Sequence, residues 1–130
     1  MKKQMLLILT LVLFASQVWA QETNRHQFSS APNTSRFEII QSELAAKITL
    51  KIDKYTGNVF QLVIGSRGLS WQLITAEKHP KDKATPNKVN YQVFTSGLAV
   101  KMTYLINVNT GASWKMSEDS EIGIFWKALK

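Results

Sequence analysis

The sequence predicts an all-β fold in which two tandem antiparallel four-stranded meanders pack as a sandwich or flattened barrel with pseudo-two-fold symmetry. Three observations predict it. The stretch KIDKYTGNVFQL at 51–62 returns as LINVNTGASWKM at 105–116. A shift of 54 positions lays 36–62 over 90–116 without a gap, with identity at Ser42/Ser96, Leu44/Leu98, Ala45/Ala99, Lys47/Lys101, Thr49/Thr103, Ile52/Ile106, Thr56/Thr110 and Gly57/Gly111. Within both copies apolar and polar residues alternate with period two, the pattern of a half-buried strand. One extra residue in the second copy then brings GLSW at 68–71 over GIFW at 123–126. Self-similarity on this scale marks a duplicated unit.

The chain opens with MKKQMLLILTLVLFASQVWA, two lysines ahead of an apolar run that ends in small residues. This predicts a cleaved signal peptide over 1–20 and delivery to the periplasm or the outside of the cell. The run is too short for a stable transmembrane anchor, which takes about 20 apolar residues. Residues 21–35 are polar and predict a flexible leader. One β domain then covers 36–130, with a first repeat at 36–74, a linker at 75–89 and a second repeat at 90–130. In the first repeat strands are expected at 37–41, 46–53, 59–64 and 69–74. SELAAKI at 42–48 could open a helix, but its counterpart SGLAVKM carries Gly97, which weakens a helix by about 1 kcal/mol. A tight hairpin connection is the consistent reading of both. The linker holds two prolines and four lysines without an apolar period, so a solvated loop is expected. Strands follow at 91–95, 100–107, 113–116 and 122–128. Trp71, Trp114 and Trp126, with Phe60 and Tyr104, are read mainly as core, because burying one aromatic removes about 150–250 Å² from water.

The repeated corners need no chemistry beyond the backbone. Gly57 and Gly111 accept a positive φ without a Cβ penalty, and Asp53 and Asn107 supply a side-chain acceptor for the N–H groups just beyond, with Thr56 and Thr110 completing each turn. Exchange of Asp for Asn keeps the acceptor and discards the charge, which a general acid, a general base or a strong metal ligand would not survive. The pattern D/N-x-x-T-G-x-x-aromatic at 53–60 and 107–114 resembles the tryptophan-bearing repeats of quinoprotein-type β-propellers. It is also similar to short exported bacterial proteins that carry duplicated hairpins of this kind. The aromatic stands three residues past the glycine here and four in the propeller repeats, and the likeness spans about a dozen residues of each copy. A quinone-dependent dehydrogenase needs many blades and dedicated cofactor ligands, so no catalytic residue carries over.

Other chemistry is sparse. There is no cysteine, so in an oxidising compartment the domain holds together by burial alone. His26 falls in the leader and His79 in the linker, neither beside a ligand set, and no nucleophile sits in a triad or elbow context. No catalytic residue, metal or cofactor is expected. Removing the signal lowers the formal charge from +7 to +5, which suits an anionic partner. Export makes nucleic acid an unfitting one. The expected function is that of a monomeric, non-enzymatic exported β domain that binds a protein or an anionic glycan in the cell envelope or outside the cell. The candidate surface is Tyr55 at a turn tip, Arg67 between strands, and the linker cations Lys78, Lys81, Lys83 and Lys88. The alternative is a lectin with two blades per chain, whose tryptophan-lined glycan sites form when several chains close a ring.

Overall fold

The computed structural model describes residues 31–42, 48–96 and 99–130. The expected signal at 1–20, the leader as far as residue 30 and the middle of both predicted tight connections, 43–47 and 97–98, lie outside the described residues. The fold is all-β. Eight strands follow in order: β1 (Phe37–Gln41), β2 (Thr49–Asp53), β3 (Val59–Gly65), β4 (Gly68–Ala76), β5 (Tyr91–Thr95), β6 (Thr103–Asn107), β7 (Ser113–Asp119) and β8 (Gly123–Leu129). Two strands begin later than expected. β2 starts at Thr49, and ahead of β6 the segment Val100–Met102 closes one 3₁₀ turn, Met102 N–H donating to Ala99 O at 2.9 Å. β4 runs two residues into the expected linker because Thr75 and Ala76 find partners in β8.

All eight strands belong to one sheet, in the order β1-β2-β3-β4-β8-β7-β6-β5. Each set of four consecutive strands is an antiparallel meander, and the two are joined where β4 and β8 run parallel, Thr75 beside Phe125 and Ala76 beside Trp126. On the far side the N–H groups of Asn90 and Tyr91 donate to Lys54 O at 2.8 and 3.0 Å. These two seams curl the sheet into a nearly closed barrel, tied at the end that carries the glycine corners. At the other end β3 and β4 reach past their neighbours.

The core lies on the inner face. The first meander contributes Ile40, Leu50, Ile52, Val59 and Ile74, and the second Tyr91, Val93, Leu105, Trp114, Met116 and Trp126. Each fully buried large side chain contributes about 1.5–3 kcal/mol relative to its exposed state. The two sets do not correspond in the sequence repeat. Tyr91, Val93, Trp114, Met116 and Trp126 match Phe37, Ile39, Phe60, Leu62 and Trp71, and ladder pairing puts these five on the outer face. The cause is topological. Setting the last strand of each meander side by side and parallel turns the second meander over, so equivalent residues face opposite sides of one continuous sheet. Thr75, which shares a face with Trp71, lies beside Phe125, which shares a face with Lys115 rather than with Trp126. The expectation that these aromatics are mainly core is corrected accordingly: Trp114 and Trp126 are buried, while Phe60, Trp71 and Tyr104 are half-buried on the outside.

Candidate binding face

The two corners share one hydrogen-bond scheme. Asp53 Oδ1 accepts from Tyr55 N–H at 3.0 Å, as Asn107 Oδ1 does from Asn109 N–H at 3.0 Å. Gly57 N–H donates to Asp53 O and Gly111 N–H to Asn107 O, both at 2.8 Å. The glycines stand at φ 77° and 75°. Asn58 N–H donates to Thr56 Oγ1 at 3.4 Å and Ala112 N–H to Thr110 Oγ1 at 3.3 Å. The copies differ in what the acid adds. Arg36 donates from Nε and Nη2 to the Asp53 carboxylate, the shorter contact being 2.8 Å. Burial pushes that carboxyl up, yet the Arg36 hydrogen bonds, the Tyr55 N–H and the guanidinium charge outweigh it, leaving Asp53 below the usual carboxylate range.

The linker is tethered along its length. Asp82 accepts from the Tyr91 hydroxyl and from Asn107 Nδ2, each at 2.9 Å. Trp114 Nε1 donates to Glu77 O at 2.8 Å, and the His79 ring meets Trp114 edge-on at 5.4 Å. Lys81 N–H donates to His79 Nδ1, so in the neutral ring Nε2 carries the proton that it shares with Leu129 O at 2.8 Å. Asn90 ties down the last part of the linker, donating to Thr85 O and Lys88 O and accepting from Thr85 N–H. All four linker ammonium groups remain on the exposed surface. Lys78 and Lys81 line one cavity of about 590 Å³ with His79 and Lys130, and Lys83 and Lys88 lie outside it. Tyr55 is half-buried beneath the Arg36 guanidinium, which stands 5.4 Å over its ring, and its carbonyl accepts from Asn90. Arg67 sits exposed at the tip of the β3–β4 hairpin. The structure therefore does not gather the six predicted surface residues into one site.

A further lysine has a structural place. Lys54 is buried, and its ammonium group bonds Pro32 O, Asn33 O and Glu38 at 3.3–3.4 Å, fixing the end of the leader to the corner.

What the structure does gather lies on the outer face of the first meander. Lys51 stands across the ladder from Ile39 on one side and Phe60 on the other, and Phe60 from Leu73. The Lys51 ammonium is 4.9 Å from the Phe60 ring centroid and 4.7 Å from that of Trp71. This is cation–π distance on both rings. Around this centre Phe37, Ile39 and Leu73 are about half exposed, and Ile64 and Leu69 are 86% and 69% exposed. Among the described residues the only carboxylate facing this side of the first meander is Asp53, already held by Arg36. In the second meander the place of Lys51 is taken by Leu105, which is buried. The chain matches no known family, curated protein or solved structure. Among the described residues no cluster of His, Asp and Glu is placed to hold a metal ion. A face of aromatics, aliphatics and one uncompensated ammonium can bind and orient a ligand. It offers no paired acid and base for proton transfer. Sequence reasoning passed over this face because alternation shows that a strand has an apolar side, and says nothing of whether that side is covered. The one available signal was Lys51 standing where the other copy has leucine.

Proposed function

We propose that the protein is an exported, non-enzymatic binding domain of the cell envelope, and that the outer face of the first meander is its binding surface. The observation that carries this reading is the Lys51 ammonium between Phe60 and Trp71 on an exposed apolar face. Contiguous apolar surface of this kind marks interaction sites in soluble proteins, and a central cation that no acid among the described residues pairs, Asp53 being held by Arg36, selects an anionic ligand. The linker cations supply the longer-range attraction.

In-cell photocrosslinking tests the reading. A photoreactive residue at Leu73, on the outer face, is expected to give adducts that weaken in Lys51→Glu. The same residue at Gln72, exposed on the opposite face, is expected to give none. Equal labelling from both positions, or none from Leu73, overturns it.

A second reading, the oligomeric glycan-binding lectin, is favoured by the partial exposure of Phe60 and Trp71, since aromatic faces are platforms for sugar rings. It predicts that a neutral glycan shifts Trp71 fluorescence in a chain that sediments as a closed oligomer.

A further inference from the structure

The β3–β4 hairpin stands clear of the sheet. β2 pairs with β3 no further than Gln61, and β8 pairs with β4 only at Thr75 and Ala76. From Leu62 to Ile74 the two strands therefore ladder with each other alone among the described residues. The hairpin is two-faced. Leu62, Ile64, Leu69, Trp71 and Leu73 continue the apolar outer face, while Gln61, Val63, Ser70 and Gln72 lie on the other, which is mostly polar. Ile64 and Leu69 oppose each other next to the turn and are the most exposed large apolar side chains among the described residues. Arg67 tips the turn, and no acid occurs from Val59 to Ala76.

We infer that this hairpin seats the protein on an anionic lipid bilayer, with Ile64 and Leu69 in the interfacial zone, Trp71 and Lys51 at the level of the headgroups, and Arg67 reaching the phosphates from the tip. The inference rests on the reading above, that the outer face of the first meander is a binding surface. Three features choose a bilayer. A protein interface places its anchors at the centre of a patch, ringed by neighbours that exclude water. Here the most exposed apolar pair sits at the very end of a projection, which suits entry into a soft apolar phase. The second feature is charge. A hairpin with Arg67 as its one charge, beside Lys51 of β2, favours anionic over zwitterionic lipid, and the positive net charge of the chain opposes a second copy at long range. The third is Lys51, whose ammonium stands 4.9 and 4.7 Å from the Phe60 and Trp71 ring centroids on the outer face, so that a long apolar stem carries a cation beside the aromatic surface, the means by which lysine reaches headgroups from an apolar layer. The chain's own residues 21–30 are a poor cover for this face, offering Phe28 as their one large apolar side chain.

The depth of seating is limited by the backbone. The free edges of β3 and β4 near the tip carry N–H and C=O groups that hydrocarbon cannot satisfy. The hairpin therefore stays within the outer ~5–10 Å that interfacial elements occupy, which at about 3.3 Å per residue admits two or three residues of each strand.

The test uses the protein as the cell processes it, its N-terminus fixed by mass spectrometry, with vesicles of phosphatidylcholine alone or mixed with phosphatidylglycerol. Co-sedimentation is expected to favour the phosphatidylglycerol vesicles about tenfold or more and to weaken in high salt. The double variant Ile64→Ser/Leu69→Ser is expected to lose about tenfold or more of that binding, from the apolar area no longer transferred, with an unchanged circular dichroism spectrum. Acyl chains brominated near the headgroup are expected to quench Trp71, and the quenching to vanish in Trp71→Phe. Binding of the double variant at full strength, equal binding to pure phosphatidylcholine, or a Trp71 signal blind to brominated lipid overturns the inference. Should vesicles be ignored while Leu73 still crosslinks in cells, the bilayer is the wrong partner and the binding face stands.

Discussion

At the scale of single residues the two corners form a controlled comparison. Gly57 and Gly111 share a left-handed backbone, but a Cβ on Gly57 would meet the Tyr91 ring at 2.9–3.0 Å, whereas one on Gly111 meets nothing within 4 Å. Gly111→Ala is therefore expected to cost about 1–2 kcal/mol, the penalty of the left-handed conformation alone. Gly57→Ala should cost distinctly more, since the buried Tyr91 must shift, and urea denaturation of the two variants reads the difference directly. Asp53 and Asn107 make a second comparison. Because the folded pKa of Asp53 lies below its ordinary value, its contribution to stability is full above about pH 4 and is lost as pH falls through the folded value. Asp53→Asn keeps the acceptor for Tyr55 N–H, as Asn107 shows an amide can, and gives up the Arg36 pair. With Arg36 half exposed, that pair is worth at most about 1 kcal/mol near neutrality. The variant is expected to start slightly less stable and to lose less on acidification, so acid titrations of the two proteins should converge.

At the scale of elements, the strands were legible and their orientation was not. β1 and β5 begin and end where period-two alternation puts them, and the corner glycines stand where the repeated Thr-Gly requires a left-handed residue. The 3₁₀ turn at Val100–Met102 was hidden, because Val100 and Met102 fit the alternation of the strand that follows. Which face of each meander is inside could not be read at all. It is decided by the parallel join of β4 to β8, a contact between residues some 50 positions apart that leaves no local pattern. Its consequence is the split fate of one sequence motif: Phe60 and Trp71 outside, Trp114 and Trp126 inside. Lys51 then acquires a meaning that its strand alone does not supply. A charge set in an otherwise sticky surface is a device that keeps β proteins apart. Lys51→Leu installs the residue that the second copy uses at this place. It is expected to leave the fold intact, since the side chain faces outward, and to drive concentration-dependent association measurable by sedimentation velocity. A variant that stays monodisperse at all concentrations would show that the face is kept soluble by something other than this lysine.

At the scale of the whole molecule, stability converges on Tyr91, where the first corner, the second meander and the linker meet. Its ring packs against Gly57, its N–H donates to Lys54 O, and its hydroxyl donates to Asp82, which also holds the Asn107 amide. No local pattern points to this junction, since Asp82 sits in a polar stretch that reads as solvated, and only the barrel closure turns it toward Tyr91. Burial, the Asp82 hydrogen bond and the carboxylate charge together push the Tyr91 hydroxyl up to about 12 from an ordinary value of 10.0. A raised folded pKa means that the neutral phenol is the form that folding favours. Its contribution is therefore complete below about pH 10 and is lost as pH rises toward about 12, where the phenolate would face Asp82 across a hydrogen-bond distance. Tyr91→Phe keeps the ring on Gly57 and removes the hydroxyl, so it is expected to lose about 1–2 kcal/mol at pH 7. The wild-type advantage should shrink steadily through the alkaline window and be nearly gone by about pH 12, because only the wild type has a proton to lose at this position. Urea denaturation of both proteins across that window isolates the group, since every other titrating side chain is common to the pair. A gap that stays constant with pH would place the stabilising contribution in packing and remove the Tyr91–Asp82 bond from the joint that holds the two meanders and their linker together.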